Sequence, residues 1–269
     1  MAVLKIYDQE TEQDMKRTII LMLSGCLICS LGGCGGKDDP GAVTDPPPTE
    51  PSATAVVTEE DTTETETGSV PSEEKMTESV YQNGLGSTFC IFTSTDNNGT
   101  GFLYKENYVI TNAHVLYDTD DFTLLDHEQK EHKGTVIFTD DSIDIAVIQL
   151  DDYEGRPVTI GDSDKVTAGE QILLIGNPAE GTPFSSCTGK RVEMDKELQQ
   201  MLNPDEWYIP VDAGIISGYS GGPAFNMNGE LIGICNAAYT GDLSGYGLEH
   251  LSLIIPINNV KEQIDEALS

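Results

Sequence analysis

From about residue 80 onward the chain is punctuated. Short runs rich in β-branched and aromatic residues, at 88–92, 101–104, 108–111, 135–138, 143–150, 171–175, 207–211, 231–235 and 251–255, alternate with turn signals. Asn97-Asn98-Gly99, Gly176-Asn177-Pro178 and Asn228-Gly229 are such signals. Strands this short and this numerous bury their apolar faces only by packing sheet on sheet or by closing into barrels. The spacing therefore predicts an all-β domain. Val260, Ile264 and Leu268 recur four residues apart, which predicts one helix at 258–268. A second helix is expected at 195–202. No internal repeat is evident.

Upstream of residue 80 the material is different. Between Gly35 and Val80 there are 12 acidic and 2 basic residues among Thr and Pro. Such a segment buries too little apolar surface to offset the entropy of ordering it, and its like charges repel. We read 35–79 as an extended acidic linker. Further upstream, Met15-Lys16-Arg17 is a basic start, and 18–31 is an almost uncharged apolar run, too short to span a bilayer comfortably. This describes an export signal, with Met15 as an alternative start. Leu31-Gly32-Gly33-Cys34 resembles the lipobox of bacterial lipoproteins, in which the cysteine is lipidated. Leu23-Ser24-Gly25-Cys26 fits that box too, but leaves a much shorter apolar core. The expected organisation is a signal and lipobox at 1–34, a linker at 35–79 and a folded domain at 80–269, lipid-anchored at Cys34 outside the cytoplasm.

Charge excludes some partners. The formal net charge is −32, with only 14 Lys and Arg. That argues against nucleic acid and against electrostatic docking on an anionic membrane. Of six cysteines, only Cys90, Cys187 and Cys235 lie in the expected domain. Their spacing fits no zinc pattern, and a Cys187–Cys235 bridge is left open. The acidic run at 118–121 lacks the spacing of a calcium loop. No metal and no cofactor is implied. His127, His132 and His250 are expected in solvated loops.

Three segments carry chemistry. Acyl transfer by a serine needs a hydroxyl, an imidazole to take its proton, a carboxylate to fix the imidazole, and N–H donors for the oxyanion. Gly218-Tyr219-Ser220-Gly221-Gly222-Pro223 offers a hydroxyl among glycines, with the amides of Gly218 and Ser220 placed to meet an oxyanion. Ile110-Thr111-Asn112-Ala113-His114-Val115 puts an imidazole just past a strand. In Ser142-Ile143-Asp144-Ile145-Ala146-Val147, a lone carboxylate enters an apolar run, where it needs a partner to stay charged. The order is His114, Asp144, Ser220, separated by 30 and 76 residues. Gly-x-Ser-x-Gly also matches the nucleophile elbow of α/β-hydrolases. That elbow requires a helix after the serine, which Gly221-Gly222-Pro223 forbids.

Thr-Asn-Ala-His, Asp-Ile-Ala-Val and Gly-Tyr-Ser-Gly-Gly-Pro, in this order, resemble the trypsin-like serine proteases, with the bacterial HtrA/DegP branch closest. The flanks agree: Asp212-Ala213-Gly214, Asn228-Gly229-Glu230-Leu231-Ile232-Gly233-Ile234 and Ile255-Pro256-Ile257-Asn258. The resemblance covers about 86–268. It implies two six-stranded antiparallel β-barrels, at about 86–155 and 156–257, with a C-terminal helix and the catalytic groups in the cleft between the barrels. It implies a serine endopeptidase with protein or peptide substrates, and a specificity pocket near Gly214, Ile215, Asn236 and Ala237. With no acid at Gly214, cleavage after Arg or Lys is disfavoured and a modest aliphatic residue is expected there. Trimers occur in the family, but no segment here marks one.

The sequence departs from the pattern in three places. No PDZ domain fits after the protease. Tyr219 stands where digestive trypsins carry an Asp that pairs with a freshly cut N-terminus, so activity is expected without propeptide removal, with oxyanion-site formation still open to gating. A polar insertion at 193–206 is placed to act as a lid. The rival reading from another class is a non-catalytic surface module that binds peptides in the same cleft, and a protease silent until a partner engages it is a third.

Overall fold

The computed structural model describes residues 72–269 apart from 96, 118, 180, 194, 197 and 200–206. The export signal, Cys26, Cys34, most of the acidic linker and most of the insertion at 193–206 lie outside the described residues. Among the described residues, no helix is long and apolar enough to cross a membrane.

Folded structure begins before residue 80, in a helix, α1 (Glu73–Leu85). Ser72 caps it by accepting the Lys75 N–H at 3.4 Å, and Glu73 and Glu74 oppose the helix dipole in the first turn. Only Val80 and Gly84 are buried on its inner face, so its apolar stripe is too thin to read from periodicity. Gly84 is required by close approach: a Cβ there would sit 2.6 Å from the Phe225 ring and 3.0 Å from Ile175.

The first sheet takes β1 (Thr88–Thr93), β2 (Asn98–Lys105), β3 (Tyr108–Thr111), β4 (Phe122–Leu125), β5 (Glu131–His132), β6 (Gly134–Asp140) and β7 (Ile145–Leu150), in the order β5-β4-β1-β2-β3-β7-β6. Its edge strands, β5 and β6, are separated in the chain by Lys133 alone. The sheet therefore curls round without a closing ladder among the described residues, a half-barrel where the resemblance implied a closed one. The second holds β8 (Thr159–Ile160), β9 (Gln171–Gly176), β10 (Ser185–Arg191), β11 (Ile209–Asp212), β12 (Pro223–Asn226), β13 (Glu230–Tyr239) and β14 (Leu251–Pro256). Here β12-β9-β10-β11-β14-β13 closes through a β12–β13 pairing into a six-stranded antiparallel barrel, and β8 adds in parallel to β13. The chain ends in α2 (Ile257–Ala267), beside the expected 258–268.

Three cores result. Phe89, Ile91, Leu103, Leu124 and Ile148 fill the first sheet. Ile172, Leu174, Val211, Ile232 and Ile254 fill the barrel. Between them Phe102, Ile110 and Val147 meet Leu173, Ile175, Phe225 and Ile234, with Val260 and Ile264 of α2 added. Strands such as β1, β7 and β9 are thus buried on both faces, which is why they read as continuous apolar runs. At Asp195 a helical turn starts, its carboxylate accepting the Leu198 N–H at 2.8 Å, within the expected 195–202.

His132 is not in a solvated loop. Its Nε2 lies 2.7 Å from Asp126 Oδ2, with side chains 4% and 9% exposed. Its ring meets the rings of Phe89 and Tyr153 edge to face. Burial opposes ionisation of Asp126, but hydrogen bonds from His132 and from the Lys130 and Glu128 amides outweigh it and hold the carboxyl below its ordinary range. The depressed folded value means that Asp126 stabilises the fold above the ordinary carboxylate range, and that this contribution is lost as pH falls through that range. Asp126→Asn should cost about 3 kcal/mol near neutral pH. In urea unfolding, the gap between wild type and variant should narrow as the pH is lowered below about 4.

Candidate active site

Ile110-Thr111 ends β3, and the chain turns into a short 3₁₀ segment, Ala113–Leu116, that carries His114. Asn97 holds this segment from outside, its amide donating to the carbonyls of His114 (3.2 Å) and Val115 (3.0 Å). Asp144 directly precedes β7, so the expected strand at 143–150 begins only at Ile145. Its backbone is left-handed, φ 53°, which costs a non-glycine residue about 1–2 kcal/mol. Three hydrogen bonds hold it there. Asn112 Nδ2 donates to its carbonyl (2.9 Å), the His114 N–H to Oδ1 (3.0 Å) and Asn236 Nδ2 to Oδ2 (2.6 Å). The same Oδ2 lies 2.7 Å from Nδ1 of His114, with side chains 34% and 24% exposed. His114 and Asp144, far apart in the chain, are thus paired.

Ser220 sits in the tight turn between β11 and β12. Its hydroxyl donates to the carbonyl of Asn236 at 3.2 Å, so the residue whose amide grips Asp144 also holds the seryl proton. The turn is pinned from the first sheet. Thr100 of β2 donates its N–H to the Ser220 carbonyl (2.9 Å) and its hydroxyl to the Gly218 carbonyl (2.7 Å). The N–H groups of Asn177 and Ala179 hold the carbonyls of Gly218 and Ser217. Gly218 has φ 100°, and a Cβ there would lie 1.9 Å from the Asn177 carbonyl oxygen. Gly221 has φ 80°, and its Cβ would lie 2.2 Å from the Thr100 carbonyl oxygen. Among the described residues, no acceptor is hydrogen-bonded to the N–H of Gly218 or of Ser220.

Gly214 and Ile215 line a cavity of about 280 Å³ with Ala238, Tyr239, Glu249 and His250. The ring of exposed His250 lies on Gly214. Ala237 and Asn236, expected in the pocket, are not among the residues lining this cavity, and the Asn236 side chain faces Asp144 instead. Cys187 and Cys235 are free thiols, Cys235 within the barrel core and Cys187 packed against it. Burial pushes the Cys235 thiol well up, and burial also raises Cys187, offset in part by the Gly214 N–H. Tyr208, half-buried, is raised by burial and then by the charge of Asp144. Among the described residues, no group of three or more His, Cys, Asp or Glu is placed to hold a metal ion.

Thr100, Asn112, Asn177 and Asn236 were not marked for these roles by sequence. The available signal was no more than a Thr or Asn near a turn, and such residues are ordinary there. Gly218→Ala should destabilise the fold by more than about 1 kcal/mol, as a side chain forced into a left-handed, backbone-crowded position does. Gly245→Ala, where a Cβ meets nothing within 4 Å, should leave the urea midpoint nearly unchanged.

The chain and its fold are similar to those of known proteins. The trypsin-like peptidase domain profile matches residues 99–234, just over half of the chain. A protein of Pseudomonas putida named as a probable periplasmic serine endoprotease, DegP-like, is 36% identical over 164 residues, 60% of this chain and 32% of its own. One of Brucella suis with the same description is 31% identical over 175 residues, 63% of this chain and 33% of its own. The chain spans about a third of the length of these curated relatives. Among solved structures, the HtrA-type protease AlgW with a decapeptide superposes with a TM-score of 0.60 at 21% identity, covering 71% of this chain and 67% of its own. The serine endoprotease from Yersinia pestis gives 0.61 at 19%, covering 74% and 68%. The motif order, the barrel geometry and the profile match agree that the chain belongs to the trypsin-like peptidase domain family.

Proposed function

We propose that this chain is a serine endopeptidase that cleaves protein segments outside the cytoplasm, with Ser220 as nucleophile, His114 as base and Asp144 as the acid that orients it. The observation that carries the reading is the Asp144–His114 pair at 2.7 Å, tied through Asn236 to a serine whose turn is pinned across the two sheets. The relatives' description as periplasmic endoproteases and the apolar stretch at 18–31 support the location. Anchoring by a lipid on Cys34 belongs to the same reading.

In this reading the steps are those of acyl transfer to a serine. Ser220 leaves the Asn236 carbonyl, gives its proton to Nε2 of His114 and attacks the scissile carbonyl. Asp144, fixed by three hydrogen bonds, keeps the imidazole in one tautomer and steadies its positive charge. The amides of Gly218 and Ser220 take the oxyanion. His114 then protonates the leaving amine, and water discharges the acyl-enzyme by the reverse route. Substrate lies extended in the cleft by β-addition. The residue before the scissile bond enters the cavity at Gly214 and Ile215, where the absence of an acid at Gly214 favours a modest aliphatic side chain.

One observation favours a gated form of this enzyme. The Ser220 hydroxyl rests on a main-chain carbonyl, a state from which it must be released before attack. A partner or substrate that tightens the cleft would do so.

The full chain incubated with casein and a fluorophosphonate probe should degrade the casein and label at Ser220, and Ser220→Ala should do neither. Equal casein loss from both proteins, or an unlabelled wild type under every substrate tried, would remove the enzymatic reading in favour of a peptide-binding module.

A further inference from the structure

An oxyanion site works only if its amides are aimed before charge develops. In this chain the peptide carrying the Gly218 amide is held at its Ser217 carbonyl by the Ala179 N–H of the neighbouring loop, and the next peptide at its Gly218 carbonyl by the Asn177 N–H and the Thr100 hydroxyl. That loop returns to the barrel at Phe184, and Phe184 is the weak point. It is buried, aromatic and left-handed, φ 60°, a backbone state that a bulky side chain holds only when its surroundings impose it.

Two groups impose it. The Phe184 N–H faces the buried thiol of Cys90 in β1, and burial pushes that thiol up to about 12. The Phe184 carbonyl accepts the hydroxyl of Tyr81 at 2.8 Å. Tyr81 lies on α1, whose seat is rigid: Gly84 lies against Phe225 and Ile175, Val80 sits in the core between the sheets, and Thr77 meets Met227. The next residue of β9 after Ile175 is Gly176, on which the ring of Tyr219 lies, directly before the nucleophile. The path from α1 to the nucleophile turn is therefore short on both sides: through Phe184 and its loop, and through β9 to Tyr219.

Resting on the protease reading, we propose that Tyr81 is a positioning residue for the oxyanion site: by fixing Phe184 from α1, it sets the loop that aims the Gly218 amide. The chain then needs no cut N-terminus for this task. A helix just ahead of the first strand performs it, inserted by packing and anchored by one phenol.

Tyr81→Phe deletes that one hydrogen bond and keeps the ring. In the full chain, the variant should hydrolyse a peptide substrate with kcat lowered about tenfold and KM within about twofold, the split expected when an interaction made only in the transition state is lost. Assays run well below the unfolding midpoint keep the folded fraction complete. Hydrogen exchange reads the same coupling without turnover: amides at 177–179 and 213–222 should exchange several-fold faster in the variant. Unchanged kcat, a change in KM alone, or faster exchange confined to α1 and the neighbours of Phe184 would overturn the proposal. If the wild type is itself inert towards probe and substrate, it is the protease reading that fails, and the exchange pattern still decides whether Tyr81 sets the 213–222 turn.

Discussion

Thr100 joins the two halves of the site through every polar group it has. Its N–H and hydroxyl donate to the carbonyls of Ser220 and Gly218, its hydroxyl accepts the Asn177 N–H at 2.8 Å, and its carbonyl accepts the Thr111 hydroxyl at 2.7 Å. The residue is fully buried, so each of these bonds replaces water that cannot reach it. One such bond contributes only about 1 kcal/mol, yet a buried group left without its partner costs more than that. The Ser220 turn of the barrel is therefore locked to β2 of the half-barrel. The two glycines follow from this lock, since at Gly218 and Gly221 the backbones approach too closely for any side chain.

Asp144 shows the same logic in electrostatic form. A carboxylate at the mouth of an apolar core, on a left-handed backbone, is unfavourable twice over. The strain is tolerated because three donors converge on one residue, and each comes from a segment that carries another part of the site: Asn112 and His114 from the histidine segment, Asn236 from the strand beside the serine. Fixing the acid thus also fixes the distance between the imidazole and the serine's strand. In the proposed protease, preorganisation of this kind would let the site stabilise developing charge without reorganising.

How much of this was legible in the sequence depends on what signal each part leaves. The His114, Asp144 and Ser220 segments are legible because glycines, a lone carboxylate entering an apolar run and a strand-end imidazole are unusual in such company. Most strands are legible because they are buried on both faces. β10 is not, since Ser185–Arg191 alternates exposed and half-buried polar positions and reads as a loop. α1 shows only Val80 and Gly84 inward. The resemblance put Asn236 near the specificity pocket; that its side chain also reaches Asp144 has no sequence signal, because it depends on a register shift of the β13–β14 ladder between Cys235 and Ala237. His132 was misread because its partner Asp126 and the rings of Phe89 and Tyr153 reach it only through the fold.

Tyr219 shows how one substitution reshapes the support of the site. An acid at that buried position would require a cation brought in and desolvated beside it, an arrangement that rarely exceeds break-even. Tyr219 needs none. Burial, then the neighbouring Cys187, Cys235 and Tyr81, push its hydroxyl up to about 12, so it stays neutral wherever the fold is stable. Its ring instead packs on Gly176 within the barrel core. The turn before Ser220 is therefore held by van der Waals contact and neutral hydrogen bonds, which neither salt nor moderate pH weakens much. In a chain of net charge −32, that is the support least exposed to the repulsion of its own surface.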